Sequence, residues 1–268
     1  MARPSSSYRH PILEALTIKK NVMSAVVLRD MRTRFFNHGL GFLVVSIWPL
    51  GHMAGLLVIY HLTGRKAPVG QSINIFFATG LIPTLAFMYV SRFMSLSLIA
   101  NRALFAFPVV KVIDVMMARA FLEIIAAVIT MTIMIVILYI VGDDPAPYDP
   151  EQAVLAYLAT LLFAIGIGSL VGVLVMFFEF FVTIYALLMI AVYISSGTLF
   201  LGSALPDTLS VPLSWNPIFQ CTEWMRSAYF EGYDTRLLGR EYLVAVGLCS
   251  LCLGLFLERV FRRKMFEG

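Results

Sequence analysis

Residues 112–141 read VIDVMMARAFLEIIAAVITMTIMIVILYIV. Past its first turn the run carries two charges, Arg119 and Glu123, and is otherwise almost wholly apolar. A helix needs about 20 apolar residues to cross ~30 Å of hydrocarbon, and this run exceeds that. A bilayer interior offers no water to backbone groups, so the run is read as a spanning helix. Arg119 and Glu123 stand four apart on one helical face, within side-chain reach. An unpaired charge near the bilayer centre costs on the order of 2.5–3.5 kcal/mol on insertion scales. Pairing, about two turns inside one end of the span, lowers that cost. Two readings stay open: a structural ion pair, or a polar rung on a path through the membrane.

Five further apolar stretches flank this one, at residues 39–62, 73–100, 152–178, 181–201 and 242–260. The sequence therefore predicts an all-α polytopic membrane protein with six transmembrane helices. Composition agrees. Hydrophobic residues make up 60% and charged residues 13% of the 268, against roughly 45–50% and ~25% for soluble domains. A soluble fold of this length lacks the charged surface it would need.

Lysine and arginine in the flanks set the orientation. Arg3, Arg9, Lys19, Lys20, Arg29, Arg32 and Arg34 precede the first span; Arg102 and Lys111 follow the second; Arg259, Arg262, Arg263 and Lys264 follow the sixth. The opposite side has Arg65 and Lys66, then the base-free loop 142–150. Both termini are expected in the cytoplasm, with no cleaved leader and the first helix retained. The net charge of +4 expresses this bias, not an affinity for nucleic acid.

Residues 17–36 are basic with interspersed Ile18, Val22, Ala25, Val26 and Phe36. They are read as an amphipathic helix on the cytoplasmic membrane surface. Residues 101–114 form a compact cytoplasmic connection. Residues 202–233 carry Pro206, Pro212 and Pro217 among Leu209, Leu213, Trp215, Phe219 and Trp224. That stretch is too broken to span and too apolar for an ordinary loop. Re-entrant half-helices between spans five and six are expected, since irregular backbone at membrane depth must be buried in protein or line a cavity. The resulting divisions are a basic segment 1–38, a spanning region 39–260 and a basic tail 261–268.

Several chemistries are missing. No lysine follows a glycine, so no phosphate-cradling G-x-x-x-x-G-K-[ST] loop exists. His52 and His61 lie nine apart, not at the i, i+4 spacing of a metal-binding helix, and no metal site is expected. Asp143-Asp144 sits among Gly and Pro in a turn. Gly232-Tyr233-Asp234 has the look of an intramembrane aspartyl protease signature but lacks a second aspartate inside a span. Cys249 and Cys252 have C-x-x-C spacing within an apolar helix and read as packing residues. Gly166, Gly168, Ser169 and Gly172 mark a close helix–helix contact, within one chain or between two.

Several stretches resemble one family. Leu28-Arg29-Asp30-Met31-Arg32-Thr33-Arg34-Phe35, then Leu40-Gly41-Phe42 and Trp48-Pro49-Leu50, resemble the amino-terminal signature of ABC-type polysaccharide export permeases. Asn101-Arg102-Ala103-Leu104-Phe105, then Pro108 to Asp114 and Ala118 to Glu123, are similar to the coupling region and third span of the capsule-polysaccharide branch. Trp215-Asn216-Pro217, with Arg226 and Gly232-Tyr233, resembles its outer re-entrant region.

The resemblance implies a homodimer in the bacterial inner membrane. Two separate ATP-binding subunits would drive it, with ATP and Mg bound there and no cofactor on this chain. The cargo would be a lipid-linked polysaccharide, passed on to a periplasmic adaptor and an outer-membrane exporter. Asn101, Leu104, Phe105, Pro108, Lys111 and Asp114 would couple to the ATP-binding subunit. Arg29, Asp30, Arg32 and Arg34 would lie where that partner and lipid headgroups meet. Arg92, Arg119, Glu123, Trp215, Trp224 and Arg226 are the candidates for a substrate path. Asp143, Asp144, Asp149 and Glu151 would repel an acidic polymer on the outer side. Other cargoes on the same fold, O-antigen or teichoic acid, share the amino-terminal signature. A membrane-embedded glycosyl- or lipid-transferase would need a compact set of acidic or His residues, which the sequence does not show.

Overall fold

The computed structural model describes residues 11–34, 41–64, 66–262 and 264–266. Among them all regular secondary structure is helical, with no strand. Nine α-helices follow in order: α1 (Pro11–Arg34), α2 (Gly41–Leu62), α3 (Ile73–Ala100), α4 (Val112–Val141), α5 (Pro150–Phe177), α6 (Phe181–Ile194), α7 (Asp207–Ser214), α8 (Pro217–Tyr229) and α9 (Arg240–Phe261). Short 3-10 turns occupy Arg102–Ala106, Gly202–Ala204 and Lys264–Phe266.

Local chemistry explains where these helices begin and end. Ser72 Oγ accepts from the amides of Asn74 and Ile75 and opens α3. Asp149 Oδ1 accepts from Gln152 N at 3.1 Å, with Pro150 in the first turn of α5. Asn216 Oδ1 accepts from Ile218 N at 3.0 Å, with Pro217 following. Each is a polar side chain on an orphan amide, and proline tolerates the first helical turn. Gly142 ends α4 at φ +95°, a conformation that glycine adopts without steric cost.

Helix α5 lies between α3 and α9, and its glycines make that possible. A Cβ on Gly166 would meet the Gly247 carbonyl oxygen of α9 at 2.7 Å, and one on Gly168 would meet the Ser91 carbonyl oxygen of α3 at 2.9 Å. The small residues of α5 thus serve contacts within one chain. Helix α8 wedges against α3 and α5, burying Ile218, Cys221, Trp224 and Met225 in the same core as Phe87, Tyr157 and Phe163. Helix α4 packs on α3, and both α1 and α2 contact α4.

Among the described residues four helices, α3, α4, α5 and α9, are long and apolar enough to cross a membrane. Much of α4 and α9 faces outward and is apolar, including Phe121, Val128, Val136, Leu248, Leu253 and Phe256. Two shorter apolar helical stretches accompany them, 47–60 within α2 and all of α6. The fifth stretch of the sequence reading, 181–201, is not one helix. Helix α6 has 14 residues, about 21 Å at 1.5 Å per residue, and stops at Ile194. Ser195 and Ser196 return their hydroxyls to the last-turn carbonyls of Ala191 and Tyr193, and Gly197 adopts φ +76°. The remaining residues of that stretch form an irregular return that α8 covers.

Candidate functional site

One end of the molecule collects basic residues, and there α1 docks on the start of α4. Val22 and Val26, one turn apart on α1, bury against Leu98, Val112, Val115, Met116 and Val173. Asp30 continues this face and is itself buried. Ile18 and Ala25 lie on the exposed side. Met265, in the turn after α9, joins the cluster, so the C-terminal segment is packed there as well.

Several polar contacts ride on this apolar joint. Asp30 Oδ2 lies 3.3 Å from Arg119 Nη1, and Arg119 Nε lies 2.8 Å from Glu123 Oε1, all three residues being buried. The Phe93 ring sits 5.4 Å from the guanidinium. Arg29 Nη1 donates to Asn101 Oδ1 at 2.7 Å. Lys19 Nζ stands 3.9 Å from Asp114 Oδ1, while Asp114 Oδ2 accepts from the Lys111 amide at 3.3 Å and so caps α4. The Arg119–Glu123 pair read from spacing is thus part of a triad whose third member comes from α1. Glu123 also borders a cavity of about 40 Å³ walled by α2, α3, α4 and α5.

The other residues of the 101–114 connection are on the surface or half-buried. Leu104 and Phe105 pack partly against the joint, and Pro108 is exposed beside Phe107 and Val109. Arg32 is exposed. The side chains of Thr33, Arg34 and Phe42 lie outside the described residues, as do Phe35, Phe36 and Leu40 altogether. Arg92 does not join the triad: its Nη1 donates to the Val182 carbonyl at 2.6 Å and ties α3 to the start of α6.

At the opposite end α8 carries Arg226, fully buried. Its Nη1 donates to Phe200 O at 2.8 Å and its Nη2 to Thr198 O at 3.1 Å. The Phe76 ring lies 4.1 Å from the guanidinium carbon. Glu223, one turn earlier on α8, is buried and accepts from Tyr233 Oη at 2.9 Å. Beside them Thr84, Thr198, Thr222 and Ser196 form a buried hydroxyl cluster, with Thr84 Oγ1 and Thr198 Oγ1 2.9 Å apart. Sequence reading singled out Arg226 but missed Glu223. Its signal was opposite charges three apart within an apolar stretch.

The two tryptophans at this end differ. Trp224 is buried and donates Nε1 to Gln152 Oε1 at 3.0 Å, locking α8 to α5. Trp215 is 70% exposed. With Tyr242, Gln220 and Arg236 it lines a cleft of about 380 Å³. Of the acidic residues at this end, Asp143 accepts from Asn74 Nδ2 at 2.6 Å and Asp149 caps α5. Asp144 Oδ1 accepts from the Ala146 amide within its own turn, and Glu151 is exposed. Among the described residues no three His, Cys, Asp or Glu side chains gather as a metal site would require.

No family model matches the sequence. Individual proteins do, along nearly their whole length. The chain is 29% identical over 251 residues to the polysialic acid transport protein KpsM of Escherichia coli, which covers 94% of this chain and 97% of that protein. It is 27% identical to the capsule polysaccharide export inner-membrane protein CtrC of Neisseria meningitidis, over 92% of this chain and 94% of that one. The chain is a homologue of capsule polysaccharide export inner-membrane proteins. BexB of Haemophilus influenzae, which bears the same description as CtrC, is 25% identical over 93% of this chain and 94% of its own length. Each match takes in more than nine tenths of this chain, and so elements of both ends described above.

Proposed function

We propose that this chain is the membrane-embedded subunit of an exporter that moves a lipid-linked capsular polysaccharide out of the cytoplasm. The carrying observation is the near full-length similarity to inner-membrane proteins of capsule export. The chain has no phosphate-binding loop of its own. Energy would come from two copies of a separate ATP-binding subunit, docked on the basic end of a homodimer. A periplasmic adaptor and an outer-membrane exporter would continue the route.

The basic end suits this role. A partner pressing on the 101–114 connection would press on the capped start of α4. The buried joint ties that start to α1 through Asp30–Arg119–Glu123 and Arg29–Asn101. Coupling requires that the partner's states bias two arrangements of the permease. Helix α1, exposing Leu13, Leu16, Ile18 and Leu28, would rest in the cytoplasmic membrane interface. The positive-inside bias puts both termini on that side. Helices α7 and α8, two short helices broken by proline between α6 and α9, would form the outer re-entrant element. With α2 and α6 counted as crossings, the six-span pattern is complete. The Trp215–Tyr242–Arg236 cleft would then face outward, where aromatic faces stack on sugar rings.

Deleting the chain and locating the organism's acidic polysaccharide tests this reading. Polymer accumulating in the cytoplasm beneath a bare surface is expected. Absence of polymer everywhere would point to synthesis, and an unchanged surface would show that the cargo is another.

A further inference from the structure

Between the first turns of α1, the end of the 101–114 connection and the end of α9 lies a cleft of about 690 Å³. Four cations line it: Lys19, Lys111, Arg259 and Arg262. Two acids answer them. Asp114 faces Lys19 and caps α4. Glu258 takes Arg262 through two hydrogen bonds, at 2.8 and 3.1 Å, and holds its guanidinium above the ordinary range. Lys111 and Arg259 are exposed and have no ion-pair partner among the described residues. The rest of the wall is apolar, with Leu16 and Val109 both more than half exposed. Uncompensated positive charge beside apolar wall, at the level where α1 meets the bundle, fits a ligand with an anionic head and an apolar body.

We propose that this cleft binds the phosphate headgroup of an anionic phospholipid of the inner leaflet. Lys111 and Arg259 take the phosphate, and Leu16 and Val109 meet the glycerol and first acyl carbons. Basic pockets between helices at the cytoplasmic face recognise anionic headgroups in this way. Occupancy bridges α1, the connection and α9. The inference rests on the cytoplasmic placement of the basic end proposed above.

The test uses the full-length chain extracted with its native partners, stripped of lipid and titrated with phosphatidylglycerol, phosphatidylcholine or inorganic phosphate. Native mass spectrometry reads the adducts. Phosphatidylglycerol is expected to rebind and phosphatidylcholine not. The double variant K111Q/R259Q is expected to bind it roughly thirtyfold more weakly. The control K66Q removes a cation at the other end and is expected to bind as the parent does. Equal loss in both variants, unchanged binding in K111Q/R259Q, or displacement of the lipid by millimolar phosphate would each overturn the site. A Lys111→Cys variant labelled by an impermeant thiol reagent from outside the cell would instead overturn the placement. That readout is independent of export, so the two failures are distinguishable.

Discussion

Among the described residues two arginines are buried, one at each end, and they are held differently. Arg119 is neutralised by two carboxylates, one from its own helix and one from α1. Arg226 donates to two backbone carbonyls of the return after α6 and lies over an aromatic ring. The first ties together two elements that each reach the surface at the basic end. The second satisfies an irregular segment that would otherwise hold buried carbonyls without donors, a costly state. A charge-to-charge tie can exchange partners when its elements move, whereas a guanidinium clamped on main-chain oxygens holds one arrangement. The basic end is therefore the candidate for motion and the α8 end the fixed wall.

That contrast breaks most visibly at Arg226. Arg226→Leu leaves the carbonyls of Thr198 and Phe200 unpaired and Glu223 without its neighbouring cation. Removing one partner from such a buried charged arrangement costs about 3–5 kcal/mol. The expected result is loss of folded protein from the membrane, read by detergent-extracted yield and thermal unfolding. Normal yield would deny the clamp. Arg119→Leu strands Asp30 and Glu123 and is expected to destabilise by a similar or somewhat smaller amount, because the joint also rests on Val22 and Val26.

Smaller changes sharpen the comparison. Gly168→Leu forces a side chain against α3, where a Cβ alone already meets Ser91 O at 2.9 Å. Overpacking of this kind costs about 1–3 kcal/mol, visible as a lower unfolding temperature. Asn101→Ala removes the acceptor of Arg29, a loss of about 1.5 kcal/mol for a bond from a charged, part-exposed donor. It is expected to leave yield unchanged while lowering ATP hydrolysis coupled to export; equal coupling in the variant and the parent would remove Asn101 from the joint.

Much of this was legible in the sequence. The apolar runs at 73–100 and 112–141 coincide with α3 and α4, because long apolar runs bounded by capping residues leave little choice at bilayer depth. The run at 181–201 misled for a physical reason: hydropathy cannot see that Ser195-Ser196-Gly197 turns the chain, with Leu199, Phe200 and Leu201 left half-buried beyond the turn. The Arg119–Glu123 spacing was visible, but Asp30 lies 89 positions away, and no local pattern announces it. Arg226 is bound to main-chain oxygens, which no side-chain pattern encodes.

Replacing the whole triad tests whether the α1–α4 joint carries the motion of a docked ATP-binding partner, as proposed. Substituting Asp30, Arg119 and Glu123 together with Leu, Met and Leu removes all three charges, and such exchanges are near neutral or stabilising when packing is kept. Surface polysaccharide and membrane level of the chain are then measured side by side. The expected result is a normal level of folded chain with polysaccharide retained in the cytoplasm. Normal surface polysaccharide at normal chain level would contradict it and leave the triad a purely structural tie.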